Sequence, residues 1–147
     1  MLLSESDLAR ELLVMTDAWT DDLFPVTPAE VARVICPVSR LVCDVERFPD
    51  DAHEPMARRG MGAIYNRSHA GAILRAVPTH AERERLLDRW YRPHHQALET
   101  AVTNALESAS SVLIVDCHSF GSRPLPHEQD QDPARPAICI GTDTFHT

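Results

Sequence analysis

Residues 111–115, Ser-Val-Leu-Ile-Val, form the most apolar run in the chain, and it ends on Asp116-Cys117-His118-Ser119. Four successive aliphatic side chains, Val112 to Val115, leave no polar face for a helix to show to water, so the run predicts a short buried strand. Polar and reactive groups then arrive together. Either the chain reaches the surface at this corner, or the strand delivers chemistry to a site.

The rest of the chain predicts elements of both kinds around that strand. Ser4 followed by Asp7, with Leu8, Leu12, Met15, Trp19 and Leu23 at helical spacing, predicts a helix over 4–24, closed by Pro25 and Pro28. Residues 31–38 (VARVICPV) and 40–48 (RLVCDVERF) read as strands, although Thr27–Glu30 could open a short helix instead. A long loop follows over 49–62, then a short strand at 63–66. Leu87, Tyr91, His94, Leu98, Val102 and Leu106 make a helical stripe from Thr79 to about Ser108, which Pro93 kinks or restarts. Residues 137–142 (AICIGT) read as a last strand. Alternating strands and helices imply one α/β domain over 1–147, with ligands gathering at the carboxyl ends of the strands. The Asp116–Ser119 corner lies at such an end.

Composition removes several functions. The net charge of −8 argues against a nucleic-acid partner, which needs a concentrated basic surface. All 14 basic residues are arginine, so Schiff-base chemistry and a P-loop lysine are absent. No apolar run approaches the roughly 20 residues that span a bilayer, and the start lacks the basic segment of a secretory signal. Seven arginines against five acids over residues 31–75 make a locally basic middle, suited to a small anion. Cys36, Cys43, Cys117 and Cys139 show no zinc-finger spacing and read as buried free thiols in a reducing cytoplasm. At 147 residues the chain is expected to bury roughly 68–70% of its unfolded surface.

At the corner itself, Cys117 and His118 are neighbours on a strand and point to opposite faces, so they cannot form a nucleophile–base pair. Ser119 lacks the flanking glycines of a nucleophile elbow. Asp116 and His118 share a face, and a metal site fits better, with the histidine offering a ring nitrogen to zinc. Taken alone, His118 reads equally as a hydrogen-bonded surface residue. His94 and His95 diverge on a helix and do not chelate together. His53, His69, His80, His127 and His146 sit in loops without ligand spacing.

Several segments in order, SRLVCDVERF, EPMARRGMGAIYNR, YRPHHQALE, VLIVDCHSF and ICIGTDTFHT, with MTDAWTDDLF near the start, resemble the N-formylglutamate amidohydrolase (deformylase) family. That resemblance implies a zinc-carboxypeptidase-like, phosphorylase/hydrolase-like fold: a mixed β-sheet flanked by helices, incomplete here. It implies zinc-dependent hydrolysis of N-formyl-L-glutamate to formate and glutamate, a cytoplasmic step of histidine breakdown. By position in matching motifs, His118 and Asp17 look like zinc ligands. Arg40 resembles the arginine that polarises the scissile carbonyl, and Arg47 the one that grips a substrate carboxylate. Asp44 would orient both, and Arg58 and Arg59 are weaker candidates for a second carboxylate. Read without the family, Asp17 is a solvated helix acid and the two arginines are ordinary ion-pair partners. Arg40 and Arg47 would also face opposite sides of a straight strand, unless a bulge intervenes.

Three departures from the pattern matter. Glu46 stands where related zinc hydrolases often have Asn before the arginine. A further histidine ligand in an opening strand is missing, and the catalytic glutamate is expected beyond residue 147. The chain is therefore expected to be a truncated form with little activity of its own. The alternatives are a non-catalytic remnant that binds metal or carboxylate, and a hydrolase of another N-acyl amino acid.

Overall fold

The computed structural model describes residues 2–25 and 31–141. The possible helix start at Thr27–Glu30, Pro28, and the end of the last expected strand at Thr142 lie outside the described residues, as does His146.

Helix α1 (Glu5–Val14) begins where Ser4 predicts: its side chain accepts the Asp7 N–H at 3.2 Å. The helix does not run on to residue 24. It stops at Met15, and Trp19 takes a left-handed backbone conformation with φ of 67° before a single further turn, α2 (Thr20–Leu23). That break places Asp17 in a bent link instead of on a helix face. Leu8, Leu12 and Leu13 of α1 are exposed, and the helix buries Glu11 instead. The Glu11 carboxylate takes the His69 N–H at 2.7 Å and its ring Nδ1 at 2.6 Å, tying α1 to the 66–73 loop.

The second helical region starts on a complete capping box. Thr79 accepts the Glu82 N–H, and Glu82 accepts the Thr79 N–H. Helix α3 (His80–Leu86), which takes in His80, passes through a π turn (Leu87–Tyr91) into α4 (Arg92–Leu106). Pro93 explains the widening. It has no N–H to give the carbonyl four residues back, and the Arg92 N–H reaches Leu87 O, five back, instead.

The expected mixed β-sheet is not formed. Among the described residues the only strand-like pairings are isolated bridges, Leu2 with Ile73 and Arg67 with Ile73. Between 40–48 and 63–66 a single bond, Asp44 N–H to Ala63 O at 2.8 Å, is all the pairing there is. Local side-chain bonds explain the failure in the first segment. Ser39 Oγ takes the Leu41 N–H, Ser39 O takes that of Val42, and Asp44 Oδ1 takes that of Glu46. Donors spent on turns cannot build a ladder. Residues 31–35, 111–116 and 137–140 carry no strand and make no backbone hydrogen bond to any described segment, and a strand without a neighbour is not independently stable. Leu113 is 86% exposed and Ile140 84%. The whole chain presents 11108 Å² to solvent, against about 7500 Å² for a folded monomer of its mass. It buries about half of its unfolded surface, short of the expectation.

What core there is lies between the helices and the middle loops. Met15, Leu41, Met61 and Tyr65 form one cluster, with Leu74 and Leu125 against it. Cys43, Ala63, Ile64 and Leu87 form the other, with Trp90 and Tyr91. In the 49–62 loop Glu54 is buried and caps the turn Pro55–Arg59, accepting the N–H groups of Met56 and Phe48. Gly60 ends it at φ of 75°, where a Cβ would lie 2.3 Å from Asn66 Oδ1. None of the described helices is long and apolar enough to cross a membrane.

All four cysteines are free, but only Cys43 is buried; Cys36 is half-buried, and Cys117 and Cys139 are exposed, which corrects the uniform burial expected. Burial pushes the Cys43 thiol up to about 11, with Cys36 and Asp44 adding to it. At about pH 8 it is therefore almost wholly protonated and unreactive. Alkylation of the native chain at that pH is expected to label Cys117 and Cys139 and to reach Cys43 only after denaturation. Fast labelling of Cys43 would mean that the Ile64–Leu87 cluster is open.

Candidate metal centre

Three segments far apart in the chain meet at His118. The α1–α2 link brings Asp17, the turns over 39–48 bring Arg40 and Glu46, and the irregular 111–121 segment brings Asp116 and His118 itself. His118 Nδ1 lies 3.5 Å from Asp17 Oδ2, and Nε2 lies 3.1 Å from Asp116 Oδ2 and 3.7 Å from Glu46 Oε1. Arg40 donates to the same Asp17 oxygen through Nη2. One donor atom each from Asp17, Glu46 and His118 falls within 4.8 Å of the other two.

Negative charge dominates the cluster. The hydrogen bond to Asp17 pushes the His118 imidazole up to about 9, against the pull of burial and with help from Glu46 and Asp116. Burial pushes Glu46 up as well, although His118 and Arg40 oppose it. Arg40 keeps its charge firmly: burial works against it, but Asp17, Asp44 and Glu46 outweigh that.

This donor set fits a divalent cation. Catalytic zinc takes three protein ligands and keeps one position open, and carboxylate oxygens and imidazole nitrogens are ordinary partners for it. Tetrahedral ligands at about 2.0–2.1 Å from zinc stand roughly 3.4 Å apart, so the observed spread needs only a modest contraction. Two carboxylates would also balance the charge of the ion.

The other residues singled out from the sequence fall in different places. Arg47 Nε lies 3.5 Å from Asp44 Oδ2 and its Nη1 lies 3.8 Å from Glu54 Oε1. Asp44 touches Arg47 but makes no ion pair with Arg40, so the two arginines share its charge without sharing its contact. The segment that carries them forms consecutive turns and not a bulged strand, with Arg40 against Asp17 and Arg47 against Asp44. Tyr65 donates to Asp44 Oδ2 at 2.7 Å, and burial together with that carboxylate pushes its phenol well above the usual range. From the helical side, His95 Nε2 meets Val45 O at 2.9 Å and Tyr91 donates to Arg47 O at 3.0 Å, clamping the turn that carries Glu46. Arg58 is exposed and makes no polar contact among the described residues. Arg59 turns the other way, donating to His127 O at 2.9 Å.

The family model of N-formylglutamate amidohydrolase matches residues 2–147. The chain belongs to the N-formylglutamate amidohydrolase family. No curated protein and no solved structure matches it. The match spans every segment on which the resemblance rested, from the Asp17 motif to the His118 corner.

Within this family member, Glu46 is the group that sequence reasoning passed over. The sequence marks it only as a departure from the Asn common before the arginine, whereas the fold sets its carboxylate 3.7 Å from His118 Nε2. A signal was available: the Asp44-Val45-Glu46 spacing lets Asp44 Oδ1 accept the Glu46 N–H and form the local turn that carries Glu46. Asp116 Oδ2 lies 3.1 Å from His118 Nε2, on the same side as the sequence alternation predicts.

Proposed function

We propose that this chain binds zinc through Asp17, Glu46 and His118 and hydrolyses the amide of N-formyl-L-glutamate to formate and L-glutamate. The observation that carries the reading is the convergence of those three donors within 4.8 Å, with Arg40 against Asp17, in a chain of this family. Zinc, when bound, supplies a Lewis acid that polarises a carbonyl and lowers the pKa of a water to about 7.

The protein's own groups do the rest. Arg40, held by Asp17, directs a guanidinium at the oxygen on which negative charge develops. Arg47 takes a substrate carboxylate, and Asp44 and Glu54 hold it in place from behind. Tyr65, Tyr91 and His95 keep the 44–47 turn rigid, so Glu46 stays within reach of His118. The substrate is a small N-acyl amino acid, and the reaction belongs to histidine breakdown in the cytoplasm.

A second reading, a metal- or carboxylate-binding domain without turnover, draws on the openness of the centre. The His118 side chain is 39% exposed, and charge stabilisation weakens where water enters. Formate release from N-formyl-L-glutamate by the purified chain, before and after chelation and with zinc restored, separates the two. Zinc-dependent release supports hydrolysis; tight zinc binding without release supports the second reading; no zinc binding sinks both. N-acetyl-L-glutamate and N-formyl-L-aspartate in parallel define the substrate.

A further inference from the structure

Natural proteins guard an unpaired run of backbone with charged side chains or proline, and Ser110–Val115 carries neither. No backbone N–H of residues 110–116 donates to a backbone carbonyl among the described residues. Leu113 is the most exposed large apolar side chain described, and Ile114 and Val115 beside it are 58% and 63% exposed. Such a run is a template for pairing with another chain.

The area available sets how large that contact can be. The chain's 11108 Å² exceeds what a folded monomer of its mass presents by about 3600 Å². A stable specific complex covers only about 800 Å² of each partner. A two-stranded ribbon alone is marginal, so further apolar cover has to join it. Ile138 and Ile140, in a second unpaired run and nearly as exposed as Leu113, offer that cover.

The run's own residues select the partner. In a two-fold dimer the same patch serves both copies. Residues directly opposite in a sheet share a face, so an axis normal to the sheet admits only registers in which one residue meets its own equivalent. With Leu113 on the axis, Val112 and Ile114 lie opposite each other in both directions, Val115 lies opposite Ser111, and Asp116 opposite Ser110. Moving the axis to Ile114 sets Asp116 against Val112, and moving it to Val112 sets Ile114 against Ser110. Parallel in-register pairing sets Asp116 on Asp116, like charge on like. The Leu113 register matches apolar with apolar and leaves the acid a hydroxyl. We propose that residues 111–115 dock a second copy of this chain, antiparallel, across a two-fold axis at Leu113. The proposal stands apart from the zinc reading.

Sedimentation equilibrium of the full chain, with its thiols kept reduced, tests it. A monomer–dimer equilibrium with a dissociation constant in the micromolar range or tighter is expected. Leu113→Asp sets two acids against each other at the axis and should raise that constant at least about 30-fold, the level of a hot-spot residue. Leu113 lies outside both core clusters, so this variant should keep the circular dichroism of the parent. A second measurement is independent of it. In a chain carrying Cys117→Ser and Cys139→Ser, Leu113→Cys should form an intermolecular disulfide with oxidised glutathione. Ile114→Cys should not, because an offset of two residues carries its equivalent beyond the roughly 7 Å that a disulfide spans between Cα atoms. A chain that stays monomeric at every concentration, open-ended oligomers, or a dimer that survives Leu113→Asp overturns the proposal. Linking in the Ile114→Cys variant in place of the Leu113→Cys variant overturns it equally.

Discussion

His118→Ala is expected to lower the zinc affinity of the chain by at least about 100-fold, the upper end of what loss of a mere supporting partner costs. His118 is the one nitrogen donor among the three candidate ligands, and both its ring nitrogens face carboxylates, so no acid beside it can take its place. Without it Asp17, Glu46 and Asp116 remain as an acid group partly neutralised by Arg40. Such a group holds zinc loosely and prefers harder cations. The side chain is 39% exposed, so the variant should fold as the parent does and its unfolding midpoint should stay within error. His53→Ala, in the exposed 49–53 stretch, is the matched control and should leave affinity unchanged. Competition titration against a chromogenic chelator reads both variants. Parental affinity in His118→Ala would end the account of this cluster as a metal centre.

Asp44→Ala should be the most destabilising single change, at about 3–5 kcal/mol, the cost of breaking a buried ion pair from one side. Asp44 is 2% exposed, accepts from two donors, the Tyr65 hydroxyl and the Glu46 N–H, and pairs at 3.5 Å with Arg47, whose buried Nε makes no hydrogen bond. Alanine leaves the phenol of a fully buried tyrosine without an acceptor and gives Arg47 only the more distant Glu54. It also frees the turn that presents Glu46, so zinc affinity should fall with stability. Asp44→Asn keeps an acceptor oxygen and should recover part of the loss. Urea unfolding followed by tyrosine and tryptophan signals measures both. A cost below about 1 kcal/mol, the level of a surface substitution, would show that Tyr65 and Arg47 do not depend on this carboxylate.

The helices were legible because their signals are local. Ser4, Thr79 and Pro93 act through bonds made or forbidden within four or five residues, and each sits where such a signal predicts. The strands were misjudged because a strand is a relation between segments. Val112 to Val115 has the composition of a buried strand, yet no described segment pairs with it, and Leu113 faces water. The 40–48 segment carried a warning in Ser39 and Asp44, residues whose side chains compete for backbone donors. The long helix over 4–24 ends at Met15, and nothing in the residue type of Trp19 announces the left-handed turn before α2.

By itself the sequence determined the family, the starts of α1 and α3, and the residue types at the His118 corner, since all of these are carried by neighbours in the chain. Tertiary structure alone decided that Glu46 faces His118, that Arg58 stays exposed while Arg59 reaches His127 O, and that the apolar runs find no partner among the described residues. Those outcomes depend on closing loops of tens of residues, whose entropic cost must be met by contacts that no single segment contains.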